Sequence, residues 1–307
     1  MSLIVSISET IGQIDALHLY KPTTELRKKN RIKTIKFSLE IEGNSLSEEQ
    51  VTAIIANKRI IAPVKDILEV QNAVKVYELL NGLNPFKLRD LEKAHGILMH
   101  NLIEQPGRFR SKNVGIIKGS KVEHVAPDGS IVTGLMKDLF DFLKNDAEII
   151  LIKSCVFHYE FEFIHPFLDG NGRMGRLWQT LILKQLNPIF EFLPIEKLIK
   201  KNQKLYYSKL SESDKIGNST PFVEFMLELI FESLNEIVQS QNQTLKSNDR
   251  ILLFKEFIGK SSFTRKDYLV HFKNISAPTA SRDLKLAADL ALIQKTGDKN
   301  TTNYTFR

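Results

Sequence analysis

Apolar positions recur at helical spacing through most of the chain. Residues 47–59 open on Ser47 followed by Gln50, the spacing of a capping box, and continue into an apolar run. Between 65 and 81, Ile67, Leu68, Val70, Val74, Tyr77 and Leu80 fall close to one helical stripe, which Asn81-Gly82 and Asn84-Pro85 end. Residues 88–103 and 133–144 repeat the amphipathic pattern. Residues 147–164 form a strongly apolar helix that breaks at His165-Pro166 and resumes after Gly170-Asn171-Gly172. One stretch departs from the helical period. At 113–127, NVGII and VEHVAP flank KGSK, and their β-branched residues predict a β-hairpin closed by Pro127-Asp128-Gly129. The pattern predicts a mainly α protein.

A further helix is predicted over 221–239. The stretch SQNQTLKSND (240–249) is polar, lacks aromatics and marks a domain boundary. Beyond it come a helix over 251–258, a short helix after Thr264, a helix from Ser276-Ala277-Pro278 to about Ala291, and two strand-like runs around Gly297-Asp298. Three helices and a hairpin in this span predict a winged helix-turn-helix. The expected organisation is an N-terminal helical region (1–87), a core (88–239), a linker (240–249) and the winged helix (250–307).

Charge sharpens this division. The chain has 307 residues, 43 Lys+Arg and 36 Asp+Glu, for a net charge of +7. Residues 21–36 carry a net +6 and residues 250–307 another +6, leaving the remainder at −5. A uniformly basic nucleic-acid coat is therefore excluded, and two separate basic segments stand out. Cys155 is the sole cysteine, which excludes an intrachain disulfide and any multi-cysteine metal site. The N-terminus lacks the basic region of a secretory signal, and no apolar run approaches ~18 residues. A soluble cytoplasmic protein with no membrane partner is expected.

The densest chemistry lies in His165-Pro166-Phe167-Leu168-Asp169-Gly170-Asn171-Gly172-Arg173-Met174-Gly175-Arg176. Glycines on both sides of Asn171 allow positive φ and a close approach of backbone to a ligand. A helix starting here offers unsatisfied N–H groups to an anion. Arg173 and Arg176, at i and i+3, can face that anion with phosphate-matched geometry. Asp169 sets a hard carboxylate beside it, suited to Mg²⁺ on phosphates. His165 at the mouth is the residue type best able to take a proton near neutral pH. Together these describe nucleotide-dependent group transfer.

This run resembles the Fic family signature, H-x-F-x-(D/E)-G-N-G-R-x-x-R, at every defined position. The resemblance extends over about residues 90–235. It implies a Fido-type helical bundle in which Gly107-Arg108-Phe109-Arg110 leads into a target-positioning flap, the 113–127 hairpin. It also implies AMP transfer from ATP to a Ser, Thr or Tyr hydroxyl of a target protein, with His165 as base and Asp169 holding Mg²⁺. Gly170, Asn171 and Gly172 would cradle phosphates, Arg173 and Arg176 would hold the β/γ end, and pyrophosphate would leave. The free flap edge at Ile116 and Ile117 would pair with target backbone, against the plainer reading of hairpin packing. Ser38-Leu39-Glu40-Ile41-Glu42-Gly43 fits the family's inhibitory pattern, (S/T)-x-x-x-E-(G/N). Glu42 would then pair with Arg176 and occupy the γ-phosphate's space, with Ser38 one helical turn before it. Family members often dimerise, so a homodimer is a further expectation.

Other readings compete. Glu92 with His95 and Glu162 with His165 form two E-x-x-H pairs, as in a di-iron bundle. That reading leaves the glycines and both arginines without a role, and Glu92 and His95 read instead as a partly exposed helix face. His158 reads as a packed histidine, Cys155 as buried and inert, and Trp178 as core. The non-enzymatic alternative is a DNA-binding regulator. Ser281, Arg282 and Lys285 would face DNA with a wing at 295–299, although Asp283 and Asp289 would weaken that face. Transfer or removal of another nucleotide moiety is the remaining enzymatic alternative.

Overall fold

A computed structural model of the chain describes residues 2–16, 24–118, 121–244, 247–272, 275–298 and 302–307. Residues 21–23 of the basic run, the hairpin tip at 119–120, residues 245–246 of the expected linker and Lys299 of the expected wing lie outside the described residues. The chain divides into two compact units, Met1–Asn235 and Glu236–Arg307.

The first unit opens with α1 (Ser2–Ala16), α2 (Thr24–Ile41), α3 (Glu48–Ile55) and α4 (Val64–Glu78). After α5 (Leu88–Leu98) comes the predicted hairpin, β1 (Gly115–Lys118) and β2 (Lys121–Val125), then α6 (Val132–Asn145). The centre is α7 (Ile150–Ile164) and α8 (Asn171–Leu183), followed by α9 (Ile195–Lys201), α10 (Gln203–Ile216) and α11 (Thr220–Thr244), whose residues from Glu236 on fall in the second unit. Ser47 and Gln50 make the capping box that starts α3. The first two helices, α9 and α10 have no element of their own in the periodicity reading.

Nearly every residue of α8 is buried, as are Leu151, Cys155, Phe157, Phe161 and Ile164 of α7. The two helices lie inside the bundle, and their buried apolar residues belong to its core. The ring of Trp178 is fully buried there, and its indole N–H donates to Pro85 O at 3.0 Å, so the one polar atom of the ring is satisfied. Lys153 is buried too. Its ammonium donates to the carbonyls of Leu143 and Asp146, which closes the end of α6. Among the described residues no helix is long and apolar enough to cross a membrane.

The second unit holds α12 (Ser247–Ile258), α13 (Arg265–His271), α14 (Ala277–Asp289) and an antiparallel pair, β3 (Ile293–Thr296) with β4 (Asn303–Phe306). Phe263 bridges to Tyr304 beside that pair. This is the helix-helix-helix-hairpin order read from the sequence. Thr264 with Asp267 caps α13, and Ser276 caps α14. Within the expected linker, 240–249, α11 runs to Thr244 and α12 begins at Ser247, with residues 245–246 outside the described ones.

Asp283 also differs from its reading as a surface acid. It is fully buried, and Arg250 donates to both its oxygens, Nε to Oδ2 at 2.6 Å and Nη2 to Oδ1 at 2.9 Å. The Tyr268 hydroxyl donates to it at 3.2 Å. The pair joins α12 to α14 across a core of Phe254, Phe263 and Leu284. Breaking such a pair leaves a buried guanidinium uncompensated, at a cost of about 3–5 kcal/mol. Asp283→Ala is expected to unfold the second unit selectively. Hydrogen exchange should rise across 250–307 and stay unchanged in α7 and α8.

Candidate active site

The site is built where α7 ends and α8 begins. His165 closes α7 in the left-handed region, with φ 49° and ψ 60°, and its N–H donates to Phe161 O at 3.0 Å. The chain turns through 166–170 and enters α8 at Gly170, whose φ is +86°. A side chain there would also meet Met99 Sδ at 2.7 Å, so glycine is required both by backbone and by space. Asn171 holds the turn shut: its Oδ1 accepts from Phe167 N–H and its Nδ2 donates to Phe167 O, both at 2.9 Å. Its carboxamide is buried and committed to Phe167, which leaves the backbone N–H groups of the helix start to face an anion.

Of the helix face expected to be partly exposed, Glu92 is half-buried, but His95 lies inside. It is fully buried and stacks on Phe167 with ring centroids 3.6 Å apart. Gly107 N–H donates to its Nδ1 at 2.8 Å, so Nε2 carries the proton and donates to Asp169 O at 2.9 Å. With both nitrogens committed to backbone, His95 cannot ligate iron. Burial holds it neutral, lowering its pKa to about 4. Among the described residues no group of three His, Cys, Asp or Glu could hold a metal.

The two arginines meet different acids rather than facing one space. Arg173 donates to Asp169 Oδ1 at 2.9 Å and to Glu69 Oε1 at 3.1 Å. Arg176 is 2% exposed; it donates from Nε to Ser38 Oγ at 3.2 Å, and from Nη2 to Ser38 O at 2.9 Å and Glu42 Oε1 at 2.7 Å. Burial works against its charge, but the Glu42 carboxylate outweighs this and raises the Arg176 pKa. Glu42 Oε1 also lies 2.4 Å from where a Cβ on Gly172 would stand. A carboxylate from the end of α2 thus lies over the first turn of α8. Asp169 is about half exposed at the lip of the same turn.

Glu69 is the residue the sequence reading missed. Its second oxygen accepts from Asn44 Nδ2 at 2.8 Å, so one buried carboxylate joins Arg173 to the segment just after Glu42. It sits four residues after Lys65 on a helix, a spacing that signals a surface pair and not a core acid. His158 is packed as expected, between Gln179 at 2.8 Å and the Tyr206 hydroxyl at 3.1 Å. Burial pushes the Cys155 thiol up to about 12, which keeps it inert. The hairpin pairs Ile116 with His124 and Ile117 with Val122, with a register shift between the two isoleucines. Their side chains lie outside the described residues.

A family model described as the Fic/DOC family matches residues 85–183. The chain is 26% identical over 228 residues to protein adenylyltransferase fic-1 of Caenorhabditis elegans, covering 70% of this chain and 42% of that protein. Against protein adenylyltransferase Fic of Nematostella vectensis it is 29% identical over 226 residues, covering 67% and 49%. It thus spans less than half the length of these two curated relatives. A crystal structure of a Fic family protein from Desulfovibrio desulfuricans G20 is 40% identical, with a TM-score of 0.76, and covers 100% of this chain and 95% of its own. A solved Fic-1 fragment from C. elegans shares the fold at a TM-score of 0.63 and 21% identity, covering 78% and 74%.

The buried His95 makes stability depend on pH. The unfolded chain binds a proton there below about 6.5, whereas the folded chain stays neutral down to about 4. Stability therefore falls as pH drops through that window, by on the order of 3 kcal/mol. Urea midpoints from pH 7 to 4 should show this slope, and His95→Phe should remove about one proton's worth of it.

Proposed function

The chain belongs to the Fic/DOC family, and from that premise we propose that it is a protein adenylyltransferase held inhibited by its own Glu42. The reaction joins AMP from ATP to a side-chain hydroxyl of a target protein. His165 takes the hydroxyl proton, the oxygen bonds to the α-phosphorus, and the bond to diphosphate breaks as diphosphate leaves. The N–H groups at the start of α8 and the guanidinium of Arg173 stabilise the phosphate charge, so the barrier falls through positioning and charge rather than through a covalent intermediate.

Asp169 suits Mg²⁺. It is a single, half-exposed hard carboxylate beside the helix start, and Mg²⁺ commonly takes one or two carboxylates together with substrate phosphates. When bound, the ion would neutralise phosphate charge. The hairpin next to the site would receive the target's backbone along a free edge.

The observation that carries the reading is the position of Glu42. Its carboxylate pairs with Arg176 at 2.7 Å and fills the space over Gly172, where an anion attracted by α8 would lie. Ser38 anchors the same guanidinium through its hydroxyl and its carbonyl, which gives the inhibitory pattern its first position.

A second activity, DNA binding through 250–307, is favoured by α14. Arg282 and Lys285 are exposed there, and of the two acids that counted against this face Asp283 is buried, while Asp289 is exposed.

Glu42→Gly is expected to raise AMP incorporation from α-labelled ATP at least tenfold, and adding His165→Ala to abolish it. Incorporation by the Glu42→Gly chain no higher than by the wild type, with ATP bound, would refute the inhibitory role. The intact chain should be retained on duplex DNA at low salt, with retention lost in Arg282→Ala/Lys285→Ala. Equal retention of the two chains would remove that face.

A further inference from the structure

We infer that Arg110 is a positioning residue that fixes the target-docking hairpin against the catalytic base; this rests on the adenylyltransferase reading above. Arg110 is 3% exposed and touches neither the helix start nor the arginines that face phosphate. Its guanidinium reaches three pieces of chain at once. Nε donates to His165 O at 2.7 Å and Nη2 to Ile164 O at 3.1 Å, the last carbonyls of α7. Nη1 donates to Lys112 O at 2.8 Å on the way into the hairpin, and Nη2 to Pro127 O at 2.7 Å on the way out. The backbone N–H of Arg110 adds a bond to Pro166 O at 2.9 Å, just past the base.

Each bond has a physical reason. The carbonyls that end a helix lack partners within it and carry its negative pole, so a cation there is favoured. His165 is a non-glycine residue in the left-handed region, a conformation that persists where its surroundings hold it. Its carbonyl is held by Arg110, and that bond fixes the peptide plane next to the imidazole-bearing Cα. The two hairpin roots are already tied to each other. Gly129 N–H donates to Asn113 Oδ1 at 2.9 Å, and a Cβ on Gly129 would stand 2.3 Å from Ser111 O. What Arg110 adds is the link from the paired roots to His165. A target strand laid on the hairpin edge is thereby held at a fixed distance from the base. Planar geometry is essential: a guanidinium offers five donors in a rigid fork, and a lysine ammonium cannot span the same carbonyls.

The test uses the full chain with Glu42→Gly as parent, carrying Arg110→Lys or Arg110→Ala. The readouts are ATP·Mg²⁺ affinity by calorimetry, AMP transfer from α-labelled ATP to the protein, and ATP hydrolysis to free AMP. For both variants, affinity is expected to stay within about twofold of the parent, because the phosphate site is elsewhere. Transfer should fall at least tenfold, with the ratio of hydrolysis to transfer rising. Millimolar guanidinium should restore part of the transfer in Arg110→Ala and leave Arg110→Lys unchanged. Transfer at the parental rate, or affinity falling in step with transfer, would overturn the inference. If Arg110→Ala does not fold, Arg110→Lys alone decides it. A parent that binds ATP yet transfers no AMP would refute the adenylyltransferase reading instead. Hydrogen exchange then decides on Arg110: Arg110→Lys must raise exchange at 111–118 and 164–168, and unchanged exchange overturns the tie.

Discussion

A guanidinium taken out of water has to be given anions or carbonyls, and α8 carries two of them into the core. Arg173 and Arg176 are 5% and 2% exposed on a helix whose other residues are almost all apolar and buried. Their placement explains much of the surrounding architecture. The end of α2 comes in to supply Ser38 and Glu42, and α4 comes in to supply Glu69. Asn44 then connects the two suppliers through Glu69. The turn before α8 is closed by Asn171 on Phe167, and Phe167 stacks on His95, which holds Asp169 by its carbonyl. These polar groups are buried in matched sets, and each set bears on the geometry of the same turn.

The arrangement bears on how inhibition and catalysis are related. A carboxylate and a phosphate oxygen make similar demands on an arginine: both are anionic and both accept from the same fork. On the proposed reading, Arg176 exchanges one for the other without leaving its place on α8. The protein's own acid supports the fold of the inhibited chain and competes with the nucleotide in the same act. Arg173 is placed differently. Its acids, Asp169 and Glu69, are not among the atoms over Gly172, where the Glu42 carboxylate lies.

Much of this was legible in the sequence because the chemistry is local. The run from His165 to Arg176 carries its glycines, base, carboxylate and arginines within one stretch, and a helix end, a turn and a helix start form there. The capping pairs Ser47/Gln50 and Thr264/Asp267 are equally local, and both form. What was hidden depends on distant packing. Nothing near Glu69 in sequence shows that its carboxylate meets Arg173, 104 residues away. His95 looked exposed because its helix is amphipathic, yet it is a polar side chain on the buried face, satisfied by two backbone groups. Asp283 misled in the same way, since its partner Arg250 lies 33 residues before it.

The space above Gly172 has an evolutionary consequence. Glu42 occupies the volume that any Cβ at this position would need. Replacing the glycine would expel the carboxylate, and it would equally obstruct the anion meant to follow. On the proposed reading, relief of inhibition through this residue is therefore a dead end in mutational space. The route left open runs through the acid itself, where shortening Glu42 empties the space without narrowing it. On that reading the side chain at position 42 sets how strongly the nucleotide is opposed, while position 172 has to stay glycine for either anion to reach the helix start.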